Sequence, residues 1–186
     1  MLDAWARILL AVPDSRLILK WRTFADASFR QRVTDAFAIQ GIAAERIELR
    51  PMSVHRQLLE EYADTDIALD PFPFSGGHTS CEALWLGVPV VSCTGKDGGD
   101  FAPRFASRMG YAFLNNIDFP ELAAETVAEY VEIAVALAKD PQRMTMLRQT
   151  LRSRMASAPL TDEARFVSEM EEAYRAMWRD WGRINI

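Results

Sequence analysis

The stretch DIALDPFPFSGGHTSCEALWLGVPVV, Asp66 to Val91, leaves a chain few ways to fold. Asp66–Asp70 reads as a short strand. Pro71, Pro73 and the pair Gly76–Gly77 then build a turn. SCEALWL, Ser80 to Leu86, reads as a helix that Gly87 stops. VPVVSC, Val88 to Cys93, has the near-continuous apolar pattern of a strand buried on both faces. Strand, turn, helix and strand in this order form a crossover unit between parallel strands. The turn raises a question, because a flexible glycine pair stands directly before a segment that belongs in a core. Residues without a Cβ let backbone come close to something bulky.

The rest of the chain repeats the alternation. Leu2, Trp5, Leu9 and Val12 recur at helical spacing before Pro13, and RLILKW, Arg16 to Trp21, reads as a strand. Asp26 can cap a helix carrying Phe29, Val33 and Phe37 that Gly41 closes. RIELR, Arg46 to Arg50, is the next strand, and Ser53 is placed to cap a helix reaching about Tyr62. After the loop TGKDGGD comes a helix bearing Phe105 and Met109, then a predicted strand YAFL from Tyr111. From about Glu121 onward the pattern is helical, ending in a helix from about Asp162 to Trp181. Phe166, Met170, Tyr174, Met177 and Trp181 share one of its faces, and the Trp178 and Trp181 stripe reads as packing.

The implied fold class is α/β, a Rossmann-like parallel sheet with helices on both faces. We expect one domain over residues 1–186, with the sheet in about 1–120 and C-terminal helices in about 121–186. Doubly wound domains generally begin with a central strand, whereas this chain begins with a helix. The first strand is therefore expected to be missing from this stretch or to precede it.

Composition narrows the function. Hydrophobic residues make up 49% and charged residues 25%, as in ordinary globular domains. A net charge of −5 argues against a surface that grips nucleic acid or anionic membrane. Cys81 and Cys93 read as free thiols. No secretory signal and no run of ~20 apolar residues is visible, so a cytoplasmic location is expected.

In parallel sheets, ligands bind beyond the carboxyl ends of the strands, where the next helices begin. The first N–H groups of a helix lack internal partners and carry about half a positive charge. An anion against the Thr79, Ser80 and Cys81 amides would satisfy them, with the Thr79 and Ser80 hydroxyls adding hydrogen bonds. Gly76 and Gly77 leave the approach open, and the Glu82 carboxylate lies where a ribose hydroxyl could meet it. Each residue also has a plainer role. Glycines form turns, Thr79 or Ser80 can serve as an N-cap, Glu82 favours the helix dipole, and His78 can be a surface residue.

Other chemistries find little footing. Asp64-Thr65-Asp66 spells a metal-binding pair but precedes its strand, at the end away from the ligand face, so no metal is expected. No Ser-His-Asp set, Gly-x-Ser-x-Gly elbow or zinc spacing is present, and no catalytic residue is assigned. TGKDGGD lacks the Gly-Lys-Ser/Thr of a Walker loop.

The Asp66–Val91 segment resembles the signature of the O-GlcNAc transferase family, which includes bacterial tetratricopeptide-containing members and the plant Spindly type. The similarity extends through AWARILLAVPDSRLILKW, FASRMG, EYVEIAVALAKD and LRSRM to FVSEMEEAYRAMWRDW, nearly the whole chain in order. It implies the C-terminal half of a GT-B glycosyltransferase, the half that holds UDP. Gly76, Gly77, His78, Thr79 and Ser80 would then meet the diphosphate and Glu82 the ribose. RPMSVHRQLL would line the uracil pocket with Ser53, His55 and Leu58. Leu58 departs from the pattern, because family members often carry a histidine at that position. Arg108 in FASRMG could add positive charge to the cleft.

The resemblance further implies inverting transfer from a UDP-sugar, UDP-GlcNAc first among them, to a protein hydroxyl. Alternatives are another GT-B nucleotide-sugar enzyme, an epimerase, or a non-catalytic interaction domain. On the family pattern, the chain starts after a strand bearing a phosphate-contacting lysine and lacks the N-terminal half and the tetratricopeptide repeats. The isolated chain is expected not to turn over.

Overall fold

A computed structural model describes residues 1–184. The chain runs α1 (Leu2–Ala11), β1 (Leu17–Lys20), α2 (Ala27–Ala38), β2 (Ile47–Arg50), α3 (His55–Glu60) and β3 (Ala68–Leu69). It continues with α4 (His78–Trp85), β4 (Val90–Cys93), α5 (Phe105–Asn116), β5 (Ala123–Ala124), α6 (Val127–Ala138), α7 (Pro141–Ser157) and α8 (Glu163–Ile184). Every strand pairing among these residues is parallel. The strands form two ladders, β1–β2 and β3–β4–β5. β4 is central in the second, and all four of its residues are buried.

The core follows this division. One apolar cluster gathers β4, α6 and α7, with Val91, Tyr130, Leu137, Leu147 and Leu151 at its centre. A smaller one joins β1, β2, α1 and α2 through Leu17, Ile47, Leu9 and Phe37. Trp5 of α1 packs against both and ties them together. Full burial of such side chains contributes ~1.5–3 kcal/mol each.

Local signals place most boundaries. The Asp26 carboxylate accepts from the Phe29 amide at 2.8 Å and starts α2. Gly87 takes φ +81° as the chain leaves α4, a conformation that a side chain would strain. A Cβ there would also lie 3.0 Å from the Arg148 carbonyl on α7.

Three expectations are corrected. YAFL is not a strand: Tyr111–Leu114 lies within α5, whose first turn is closed by the Ser107 hydroxyl accepting from the Arg104 amide at 2.9 Å. The strand beside β4 is instead β5, Ala123–Ala124, where a helix was expected from Glu121. The two alanines expose little side chain, and their backbone, not their side-chain pattern, makes the ladder. Ser53 does not cap its helix. Val54 occupies the cap position, and the Ser53 hydroxyl is turned inward beside the Glu61 carboxylate.

α8 runs past the body of the fold with Phe166, Tyr174, Met177, Trp178 and Trp181 exposed. Trp178 and Trp181 stack on each other, ring centroids 5.4 Å apart, so the stripe expected to pack does so between its own two rings. No described helix is long and apolar enough to cross a membrane.

Candidate functional site

The site grows from the carboxyl end of β3. The turn that follows contains a cis Phe72–Pro73 bond and is tied to α5 at Ser75. The Ser75 amide and hydroxyl both donate to the Ala106 carbonyl, at 3.0 and 2.9 Å, and the Gly110 amide donates to the Ser75 hydroxyl at 3.1 Å. Gly77 stands at the cap position of α4, and no side chain caps this helix. A Cβ on Gly77 would meet nothing within 4 Å, so the space before α4 is open.

The amides are unequal. The Ser80 and Cys81 amides both donate to the Gly77 carbonyl, at 3.1 and 3.3 Å. Among the described residues, none accepts from the His78 or Thr79 amide. The free donors thus sit one step earlier than the Thr79–Cys81 set expected for an anion. The Ser80 hydroxyl is also inward, donating to Asp70 Oδ1 at 2.7 Å, with Ser80 only 3% exposed. His78 is the outward member, its side chain 84% exposed, and Thr79 is exposed as well.

Glu82 lies just behind this opening, its side chain 10% exposed. Oε1 sits 2.7 Å from His55 Nε2 and 3.3 Å from His78 Nδ1. The two imidazoles are near-parallel, with centroids 6.3 Å apart. Glu82 Oε2 is buried and, among the described residues, has no hydrogen-bond partner. His55, Glu82 and His78, which the resemblance linked to base, ribose and diphosphate, therefore meet, although His55 and Glu82 belong to different crossover units. Leu58 is half-buried on α3. Arg108 is exposed on α5, the helix that Ser75 ties to the turn.

Tyr62 is a participant that the sequence reading missed. Its hydroxyl donates to the Thr79 carbonyl at 2.9 Å and so braces the first turn of α4. Burial, helped by the Glu82 and Asp70 charges, pushes its pKa up to about 12, so it remains a donor at neutral pH. Only its place at the end of an amphipathic helix could have flagged it.

Asp64 and Asp66 are held elsewhere. Asp64 pairs with Arg50 at 2.9 Å and Asp66 with Arg148 at 2.9 Å. Both precede β3, at the end opposite α4. The loop TGKDGGD is anchored, not phosphate-shaped: Asp100 accepts from the Val127 amide at 2.9 Å, and Lys96 approaches Glu125 at 3.4 Å.

Parallel strands flanked by helices define the class, a Rossmann-like α/β domain. The model of glycosyl transferase family 41 matches residues 1–170, and the chain belongs to that family. It is 39% identical over 180 residues to a probable UDP-N-acetylglucosamine–peptide N-acetylglucosaminyltransferase SPINDLY of Petunia hybrida, covering 96% of this chain and 19% of that protein. The protein of the same name from Arabidopsis thaliana is 36% identical over 182 residues, 97% of this chain and 19% of its own length. Among solved structures, an O-GlcNAc transferase mutant from Thermobaculum terrenum superposes with a TM-score of 0.85 at 41% identity. That match covers 96% of this chain and 33% of the other. The chain thus spans about a fifth of the length of these plant relatives.

Proposed function

We propose that these residues form the donor-binding domain of an inverting protein O-glycosyltransferase and hold the UDP of a UDP-sugar at the start of α4. The observation that carries this reading is the pair of unaccepted amides at His78 and Thr79, on the ligand edge of a family-41 sheet. The relatives' names specify UDP-N-acetylglucosamine and a peptide, which makes UDP-GlcNAc the first donor to test and a protein hydroxyl the acceptor class. Gly77 admits the pyrophosphate, and the unpartnered Glu82 Oε2 is the acceptor for a ribose hydroxyl. His55 with Leu58 and Ser53 marks the base side.

In the reaction, the acceptor hydroxyl attacks the anomeric carbon and gives up its proton to solvent, while the bond to the diphosphate oxygen breaks on the opposite face and UDP keeps the electron pair. Negative charge develops on the departing UDP, where fixed amide donors stabilise it most. The α4 start supplies such donors without proton transfer or metal, so we expect no divalent-cation requirement. Residues 1–186 are expected to bind donor as one domain without turning it over, because the relatives are about five times longer. The free thiols Cys81 and Cys93 suit a reducing compartment such as the cytoplasm.

Calorimetric titration with UDP, UDP-GlcNAc and GDP tests the reading. UDP and UDP-GlcNAc are expected to bind and GDP to bind more weakly. A preference for GDP points to a different donor, and no binding of any of the three at millimolar concentration rejects the site.

A further inference from the structure

We propose that Asp70 is a positioning residue, a buried carboxyl that holds Ser80 and Gly76 so that the His78 and Thr79 amides face the pyrophosphate. The inference rests on the diphosphate reading above and identifies what keeps that site in shape.

Asp70 follows β3 directly and is 5% exposed. Its Oδ1 accepts from the hydroxyl of Ser80, the third residue of α4, at 2.7 Å. Its backbone carbonyl accepts from the Tyr130 hydroxyl at 3.0 Å, which in turn accepts from Trp5 Nε1 at 3.2 Å. Asp70 is thereby fixed from the core side by α6 and α1, and fixes α4 on the other.

Two glycines from different elements make room for this one carboxyl group. A Cβ on Gly76 would collide with the Ser80 hydroxyl and lie 2.7 Å from Asp70 Oδ1. A Cβ on Gly110 of α5 would collide with the Ser92 hydroxyl and lie 2.5 Å from Asp70 Oδ2. Gly76 thus has a reason beyond turn formation: it lets the chain close over the Asp70–Ser80 pair immediately before the open amides.

Placing a carboxyl here is costly. Burial pushes the Asp70 pKa up against the hydrogen bond from the Ser80 hydroxyl, and burial wins; among the described residues Oδ2, beside the Ser92 hydroxyl, has no hydrogen-bond partner. Tyr62, Cys81 and Tyr130 face the same charge from α3's end, α4 and α6. An apolar residue would fill the space more cheaply but could not fix the rotation of α4's first turn. Asp70 acts on a ligand only through Ser80 and Gly76.

The test compares Asp70→Ala, Asp70→Asn, Ser80→Ala and the Asp70→Ala/Ser80→Ala double variant with the wild-type chain. UDP affinity is read by calorimetry, and amide hydrogen exchange at residues 78–81 is read without nucleotide. Asparagine keeps an acceptor for the Ser80 hydroxyl, and alanine removes it. Asp70→Ala and Ser80→Ala are each expected to weaken UDP about tenfold, the double variant no further, and Asp70→Asn by less than about threefold. The Ser80 and Cys81 amides are expected to exchange faster in both alanine variants, with β4 unchanged. Wild-type affinity in Asp70→Ala, or an asparagine variant as weak as alanine, overturns the role. If the wild type binds no UDP, the diphosphate reading fails and exchange alone decides the positioning role, unchanged protection at Ser80 and Cys81 rejecting it. If Asp70→Ala does not fold, Ser80→Ala against Asp70→Asn makes the same comparison.

Discussion

α4 and α6 both begin where a strand of the same ladder ends, yet their first turns are built in opposite ways. At α6 the Thr126 hydroxyl accepts from the Glu129 amide at 3.2 Å, and Glu129 returns to the Glu125 and Thr126 amides at 2.9 and 3.3 Å. Asp100 reaches in from a distant loop to take the Val127 amide. Three carboxylate or hydroxyl groups thus accept from four amides around that start. At α4 no side chain caps the helix, a glycine occupies the cap, and two amides stay open. The same local dipole is used for stability at one helix and left available at the other. An uncapped start costs about 1 kcal/mol relative to a capped one. On the proposed reading, a bound diphosphate returns that cost.

The contrast can be broken most forcefully by capping α4 itself. Gly77→Asp has room for its side chain, and the new carboxylate would occupy the amides and repel a diphosphate. UDP affinity is expected to fall on the order of a hundredfold in calorimetry. The Gly77 backbone angles, φ −106° and ψ −101°, set a strain cost against any gain from the cap in thermal melts. Unchanged affinity would mean that the opening at α4 is not where the phosphates go. Next in size, Glu82→Ala is expected to weaken UDP about tenfold or more, through loss of a charged acceptor for the ribose, while leaving the melting temperature near that of the wild type. Thr126→Ala on the closed helix should do the reverse: a loss of about 1 kcal/mol in denaturant unfolding and no change in UDP binding.

The smallest effect concerns pH. Asp70 has a folded-state pKa raised above its ordinary 3.8, so the protonated form is favoured in the fold. Its contribution to stability is complete below pH 3.8 and lost as pH rises through the folded-state value. Asp70→Asn is neutral at every pH, so its melting temperature relative to wild type should climb between pH 3.5 and 7, in thermal melts at matched ionic strength (pH steps of about half a unit). A flat difference would show that the carboxyl is not held against its charge.

Much of the architecture was readable in the chain. The parallel crossover unit of β3, α4 and β4 follows from an apolar run, a glycine stop and a proline-glycine turn, all local signals. Asp26 announces its helix because a capping side chain bonds an amide only three residues away, and the structure shows Thr126 and Asp140 capping theirs in the same way. The failures share one cause. Tyr111–Leu114 and Ala123–Ala124 exchanged strand and helix because a two-residue alanine strand has no periodicity to see, and β4 selected it by backbone hydrogen bonds. Ser53 looked like a cap, but the structure gives the cap position to Val54 and buries the Ser53 hydroxyl.

The site shows the same division. Gly76, Gly77, His78 and Glu82 stood out as a candidate phosphate turn, and the resemblance along the chain implied diphosphate for the first three and ribose for Glu82, with His55 on the base side. Contacts between residues far apart in sequence decided the rest: His55 against Glu82, Tyr62 under Thr79, and Ser80 turned toward Asp70. Periodicity and turn chemistry are properties of neighbours in the chain, so the sequence alone determined the elements and their parallel order. Which amides stay free depends on whether a polar group elsewhere in the chain arrives within about 3 Å, and only the tertiary structure sets that distance.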